Sequence, residues 1–283
     1  MGRKGLGIAV AVLMLVTACG QQPDSQQRPQ HYVALGDSYT SAPGTGESVG
    51  SPPGCDRSRN NYPRLVAAEL SAERFTDASC SGATTRDITR PQQTPDGTNP
   101  PQLNAVRPET TLVTIGIGGN DVGLVALAGE CAANQGTRSC QRRLAEGGID
   151  ELAARIESAG EAVGQVLARI NAKAPDARVV VVGYPTILPA DPAVCPPELP
   201  YADEDIAYLR RGLQRLNTVL AEQARQHGAE FADTAKASVG HGMCAPPDSR
   251  WVEGPRSTTG AAPLHPNARG ERSMASAVVR ELS

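Results

Sequence analysis

The sequence predicts an α/β fold, a parallel sheet of about five strands with helices on both faces. Three observations carry this. Short apolar runs alternate with longer helical stretches along most of the chain. The runs are continuous and β-branched, as in Val179-Val180-Val181-Val182, which suits strands covered on both faces. The intervening helices are one-sided, so each strand–helix–strand unit closes as a parallel crossover.

In chain order, His31–Gly36 reads as the first strand, built on Tyr32, Val33, Ala34 and Leu35. Tyr62–Ser71 reads as a helix and Phe75–Ser81 as the second strand. Thr111–Ile117 carries Leu112, Val113, Ile115 and Ile117 and is the third. Ile149–Lys173 is a long helix, Arg178–Gly183 the fourth strand and Asp203–Gln226 another helix. Its stripe of Ile206, Leu209, Leu213, Leu216 and Leu220 is spaced by three and four residues, which is core packing. Ala229–Asp233 is the last strand and Pro266–Leu282 the closing helix. Ser41–Asn60, Pro91–Pro101 and Tyr184–Pro200 are Gly/Pro-rich and read as loops. No repeat or linker divides residues 31–283, which read as a single domain.

Composition narrows the function. The chain has 283 residues, 40% hydrophobic and 20% charged, enough for a sizeable core. A net charge of −3 with no basic stripe argues against nucleic acid as a partner. Only 3% of residues are aromatic, so stacking platforms for sugars or bases are scarce. No apolar run reaches the roughly 18 residues of a helical membrane span.

Residues 1–19 read as a lipoprotein signal peptide. Arg3 and Lys4 are basic, an apolar stretch runs from Gly5 to Val16, and Val16-Thr17-Ala18-Cys19 resembles a lipobox. Lipidated Cys19 would hold the protein at a membrane surface, with the polar residues 20–30 as a flexible tether. An ordinary signal peptide beside an unrelated cysteine is the alternative.

Beyond Cys19 lie Cys55, Cys80, Cys131, Cys140, Cys195 and Cys244. An even set in an exported chain implies disulfides. Sequential pairing is expected, Cys55–Cys80, Cys131–Cys140 and Cys195–Cys244, out of the 15 connectivities that six cysteines allow. No Cys-x-x-Cys or His-Glu-x-x-His occurs, so no metal site or metal cofactor is expected.

Four short motifs fall at the ends of strands or just before the last helix: Gly36-Asp37-Ser38-Tyr39, Ser81-Gly82-Ala83-Thr84, Gly118-Gly119-Asn120-Asp121 and Leu264-His265-Pro266-Asn267. A parallel sheet brings such turns to one edge. There a Ser and a His can form a nucleophile–base pair. A glycine amide and an Asn amide can donate to a developing oxyanion. Each motif alone has a structural reading as a turn or a helix cap; their order and placement carry the argument. Gly-x-Ser-x-Gly, a Walker A loop and a Rossmann turn are all absent.

On these four blocks the sequence, from about Tyr32 to Arg269, resembles the SGNH hydrolases of the GDSL lipase/esterase superfamily. The six cysteines and the Ser41–Gly46 loop are most similar to secreted actinobacterial esterases and lipases. The resemblance implies a flavodoxin-like three-layer α/β/α fold and carboxylic ester hydrolysis without a cofactor. It implies Ser38 as nucleophile, His265 as general base, and an oxyanion hole made of the Ser38 amide, the Gly82 amide and the Asn120 side chain. It further implies an ester or lipid substrate and a monomeric enzyme of the cell envelope or its exterior. Two positions depart from the family. Tyr39 stands where Leu is common, a change of packing more than of chemistry. Ala262 stands where an Asp often orients the His. Either the Ala262 carbonyl then receives the imidazole N–H, giving a Ser–His dyad, or another acid reaches in. The dyad is the preferred reading. Asp37 is expected to hold the oxyanion loops by bonding backbone near Asn120 or Gly82. His241 reads as a tethered loop histidine, with a pocket-lining role as the alternative. Competing readings are a glycan O-acetyl esterase, a phospholipase and a non-catalytic ligand-binding lipoprotein.

Overall fold

In chain order the strands are β1 (Tyr32–Gly36), β2 (Phe75–Asp77), β3 (Gln92–Thr94), β4 (Gly97–Asn99), β5 (Leu112–Gly116), β6 (Arg178–Val182) and β7 (Glu230–Ala232). The helices are α1 (Ser38–Ser41), α2 (Tyr62–Glu69), α3 (Thr85–Thr89), α4 (Gly119–Val122), α5 (Leu124–Ala133), α6 (Cys140–Leu144), α7 (Glu151–Lys173), α8 (Asp203–Gln226), α9 (Thr234–Ala237) and α10 (Ala268–Leu282). This computed structural model describes residues 1–2, 29–133, 139–197 and 199–283. Cys19, the signal segment beyond residue 2 and tether residues 20–28 lie outside the described residues.

Five strands form one parallel sheet in the order β2-β1-β5-β6-β7. That is the flavodoxin-like order, whose chain reverses direction between its first and third strands. Here the reversal lies between β1 and β5, paired from Tyr32↔Leu112 to Gly36↔Gly116. Every residue of both strands is buried. The α7–α8 pair covers one face and the α10–α2 pair the other. The α8 stripe from Ile206 to Leu220 is core, as its spacing implies. Truncating Ile115 to Ala would cost about 2–5 kcal/mol, a large part of a domain's usual margin.

The five predicted strands all form. The second is shorter than expected, ending at Asp77. Pro91–Pro101, expected as a loop, contains the antiparallel hairpin β3–β4. Helices α5 and α6, unassigned from sequence, lie between the third strand and the long helix. All three expected disulfides form: Cys55–Cys80, Cys131–Cys140 and Cys195–Cys244. The first fastens the loop after the first strand to the loop after the second, and the last fastens the loop after β6 to the one after β7.

Candidate active site

The site is built at the carboxyl ends of β1 and β5, where the sheet order reverses. Gly36 ends β1 at φ 152°, and a Cβ there would lie 2.1 Å from Thr40 Oγ1 and 2.5 Å from the Gly116 carbonyl oxygen. Only glycine lets the chain turn this tightly into α1. Asp37 caps that helix, its Oδ1 accepting the Tyr39 amide at 2.9 Å. Ser38, the first helical residue, is buried apart from a 6% exposed edge.

His265 meets Ser38 from the opposite side, with Nε2 2.7 Å from the serine Oγ. It ends a tight turn, Ala262-Pro263-Leu264-His265, closed by the His265 amide donating to the Ala262 carbonyl at 3.2 Å. Proline in the second position and positive φ in the third (Leu264, 64°) mark a type II turn. The Ala262 carbonyl is thus taken by His265's own backbone, and the Pro263 carbonyl accepts the imidazole Nδ1–H at 2.7 Å. This corrects the expectation of Ala262: the partner is the next carbonyl along. A carbonyl can only accept, so Nδ1 holds the ring proton and Nε2 keeps the lone pair that faces Ser38. Neither Asp37 nor Asp121 bonds to the ring. Asp121 accepts the Thr85 amide and hydroxyl instead.

Two further loops, after β2 and after β5, are tied to each other at this end of the sheet. Gly82 follows the second strand at φ 76°. Asn120 lies in α4, one Nδ2–H donating to the Ala83 carbonyl at 2.8 Å. Asn120 and Asp121 thereby clamp the 82–85 loop. Among the described residues, the amides of Ser38 and Gly82 take no protein acceptor. Asp37 does not bond backbone near Asn120 or Gly82 directly, contrary to expectation. It reaches that loop through Tyr184, whose hydroxyl donates to Asp37 Oδ2 at 2.6 Å and accepts the Gly119 amide at 2.7 Å.

Residues 34–272 match the GDSL-like lipase/acylhydrolase family. The chain is 36% identical over 279 residues to Lipase 2 of Streptomyces coelicolor, covering 95% of this chain and 91% of that lipase. The chain belongs to the GDSL-like lipase/acylhydrolase family. Among solved structures, this hydrolase is similar to phospholipase A1 from Streptomyces albidoflavus (29% identity, TM-score 0.75) and to the extracellular lipase of Streptomyces rimosus (31%, TM-score 0.73). Each superposition covers 89% of this chain and 99% of the other. The expected SGNH fold and the resemblance read from the four blocks hold. The protein is a carboxylic ester hydrolase, so the non-catalytic alternative falls away.

Burial sets the electrostatics of this hydrolase. It lowers the His265 imidazole below its ordinary value, only partly offset by the Pro263 hydrogen bond. The ring is therefore neutral at pH 7. Burial pushes the Asp37 carboxyl up to about 7, against the hydrogen bonds from Tyr184 and Tyr39. Burial, and then Asp37, push the Tyr39 and Tyr184 phenols far above their usual range, so both hydroxyls remain protonated donors.

Three participants were not assigned from the sequence. Tyr184 sits in a segment read as loop, and only the fold brings it to Asp37. Pro263 is displaced by one residue from the expected carbonyl, and the positive φ of Leu264 that decides this leaves no mark in the sequence. Glu253 is fully buried, and its carboxylate accepts Asn267 Nδ2 at 2.8 Å, the Thr258 amide at 2.9 Å and the Thr259 hydroxyl at 3.0 Å. Its own amide donates to the His265 carbonyl at 2.9 Å. Glu253 lies twelve residues before His265, joined to it through the Val252↔Pro266 bridge. His241 stacks on Trp251 with ring centroids 3.9 Å apart, its Nδ1–H donating to the Ser249 carbonyl, so it is a tethered loop histidine. An apolar slot walled by Leu124, Ala128, Ile187 and Leu213 also takes in Tyr39 and Leu264, the chain neighbours of Ser38 and His265.

Proposed function

We propose that this hydrolase cleaves carboxylic esters of apolar acyl chains through a Ser38–His265 dyad and an acyl-enzyme. The observation that carries this is the line Pro263 O···Nδ1–His265–Nε2···Ser38 Oγ, with 2.7 Å at each end. His265 takes the Ser38 proton as Oγ attacks the ester carbonyl. The oxyanion that forms receives the Ser38 and Gly82 amides and the second N–H of Asn120. His265 then protonates the leaving alcohol, and water releases the acid by the reverse sequence. A carbonyl fixes the tautomer and the ring orientation, which are the main tasks of the acid in a triad. Neither the nucleophile, the base nor the oxyanion donors require a metal or an organic cofactor for these steps.

The apolar slot favours an acyl chain over an acetylated glycan, and a single Trp gives little for a sugar to stack on. Three disulfides fit maturation in an oxidising compartment. With the signal segment and Cys19, they support an exported enzyme carried at a membrane surface by lipid on Cys19, residues 20–30 serving as the tether and 31–283 as one catalytic domain acting as a monomer. Hydrolysis of p-nitrophenyl esters from acetate to palmitate, with Ser38→Ala as control, tests the chemistry. Loss of turnover in that variant is expected, and turnover that survives it overturns the dyad. Labelled palmitate that is still incorporated after Cys19→Ala overturns the anchor.

A further inference from the structure

We infer that Tyr39 is a positioning residue: its hydroxyl holds the Leu264–His265 peptide at the exit of the Ala262–His265 turn and so seats the imidazole between the Pro263 carbonyl and Ser38. The inference rests on the dyad reading above and goes beyond it. Type I and type II turns differ chiefly by rotation of the central peptide. In this turn the central peptide is Pro263–Leu264, so its carbonyl is the one that orients His265. Rotating it would carry that carbonyl away from Nδ1. Leu264 favours the rotated form, because a branched L-residue disfavours the positive φ of 64° that it adopts. Something outside the turn must hold it.

The Gly254 carbonyl supplies that hold, accepting the Leu264 amide of the rotating peptide at 3.3 Å, and Tyr39 fixes the peptide that follows. Its hydroxyl donates to the Leu264 carbonyl at 2.6 Å, across 225 residues of sequence. Its ring lies 4.8 Å from the His265 ring and meets Tyr184 edge-on at 5.1 Å. Tyr39 follows the nucleophile on α1, so one helical turn positions both partners of the dyad. A leucine in its place could pack but could not donate.

Tyr39→Phe removes the hydroxyl and keeps the ring. We expect kcat on p-nitrophenyl acetate to fall about tenfold, the scale of one buried hydrogen bond, with KM within twofold. The low-field Nδ1–H proton resonance of His265 should broaden through exchange, a readout independent of turnover. An unchanged kcat and an unchanged resonance in Tyr39→Phe overturn the inference. A tenfold loss confined to KM does so too, since it assigns Tyr39 to the slot alone. Ser38→Ala run in parallel separates the two readings: full activity there defeats the dyad itself, whereas an inactive Ser38→Ala beside a fully active Tyr39→Phe defeats only the role of Tyr39.

Discussion

The Tyr184 hydroxyl donates to Asp37 at 2.6 Å and at the same time accepts the Gly119 amide at 2.7 Å. One phenol therefore connects the residue before Ser38 to the residue before Asn120. Asp37 reaches the loop that carries Asn120 at one remove and makes no hydrogen bond to the imidazole. The approach is close, since a Cβ on Gly119 would lie 2.9 Å from the Tyr184 ring.

Asp37→Asn should therefore slow the enzyme without disabling it. A carboxamide of the same shape offers only one acceptor oxygen where Tyr39 and Tyr184 both donate. A fall in kcat of about tenfold is expected, the scale of one hydrogen bond, whereas loss of a triad acid costs about 10⁴. Stability changes in the opposite sense with pH. The Asp37 carboxyl is raised from 3.8 to about 7 on folding, so the native state binds the extra proton between those values. Its contribution is present below about pH 4 and is lost as pH rises through 7. Thermal melts from pH 4 to 8 should show this loss in the wild type and a flatter profile in the variant. A fall of 10⁴ in kcat with a normal melt would make Asp37 the catalytic acid.

The acid limb of kcat/KM should have its midpoint below 6.5. His265 must be neutral to accept the Ser38 proton, and burial lowers its ionisation below the ordinary value. Activity then falls about tenfold per pH unit below that midpoint. Asp37, titrating near 7, could imitate such a limb. Measuring the profile in Asp37→Asn as well separates the two, because a limb set by His265 survives that substitution. A midpoint above 7 in both proteins contradicts the assignment.

The architecture was legible because β1, β5 and β6 carry apolar runs and α8 a 3/4 stripe. The four blocks were legible because they sit on residues next to strand ends, where position in sequence becomes position in space. What sequence could not show was contact between distant loops. Tyr184 and Glu253 have ordinary neighbours in the chain, and only pairing across the fold makes them partners of Asp37 and of the His265 turn. The hairpin Gln92–Asn99 was missed because its strands are short, polar and partly exposed, without the apolar alternation that marks a half-buried strand. The one-residue error at Ala262 came from reading spacing alone. A Pro followed by a residue at positive φ redirects the carbonyl, and φ is invisible in a leucine.

Ala128→Trp should shorten the acyl preference. Ala128 stands on α5 and lines the apolar slot opposite Leu213 and Leu264. An indole there fills the slot while leaving Ser38, His265 and Asn120 untouched. Hydrolysis of p-nitrophenyl acetate should change by less than threefold, while the palmitate ester loses at least tenfold in kcat/KM. One methylene in an apolar pocket is worth about 1–3 kcal/mol, so excluding several is readily measured. An equal loss on both esters would place the acyl chain elsewhere.

Glu253→Gln should loosen the His265 segment and destabilise the fold. Burial raises the carboxyl, but the hydrogen bonds from Asn267, Thr258 and Thr259 outweigh it and hold it below the usual carboxylate range. Arg250 adds a partner 3.9 Å away. An amide in this position removes the charge and turns one acceptor into a donor facing donors. Hydrogen bonds to a charged group are worth about 1.5–3 kcal/mol each, so a loss of about 2–4 kcal/mol is expected, lowering Tm by several degrees. The pH dependence follows from the same shift: the wild-type contribution is complete above the ordinary carboxylate value and is lost as pH falls through the lower native one. Wild type and variant should therefore diverge in stability at pH 7 and converge as pH falls below the ordinary carboxylate value. Because the Glu253 amide still donates to the His265 carbonyl in the variant, kcat at 20 °C should fall only a few-fold while the melt shifts. A variant as stable as wild type at pH 7 would mean that the carboxylate is not what holds the 253–267 segment together.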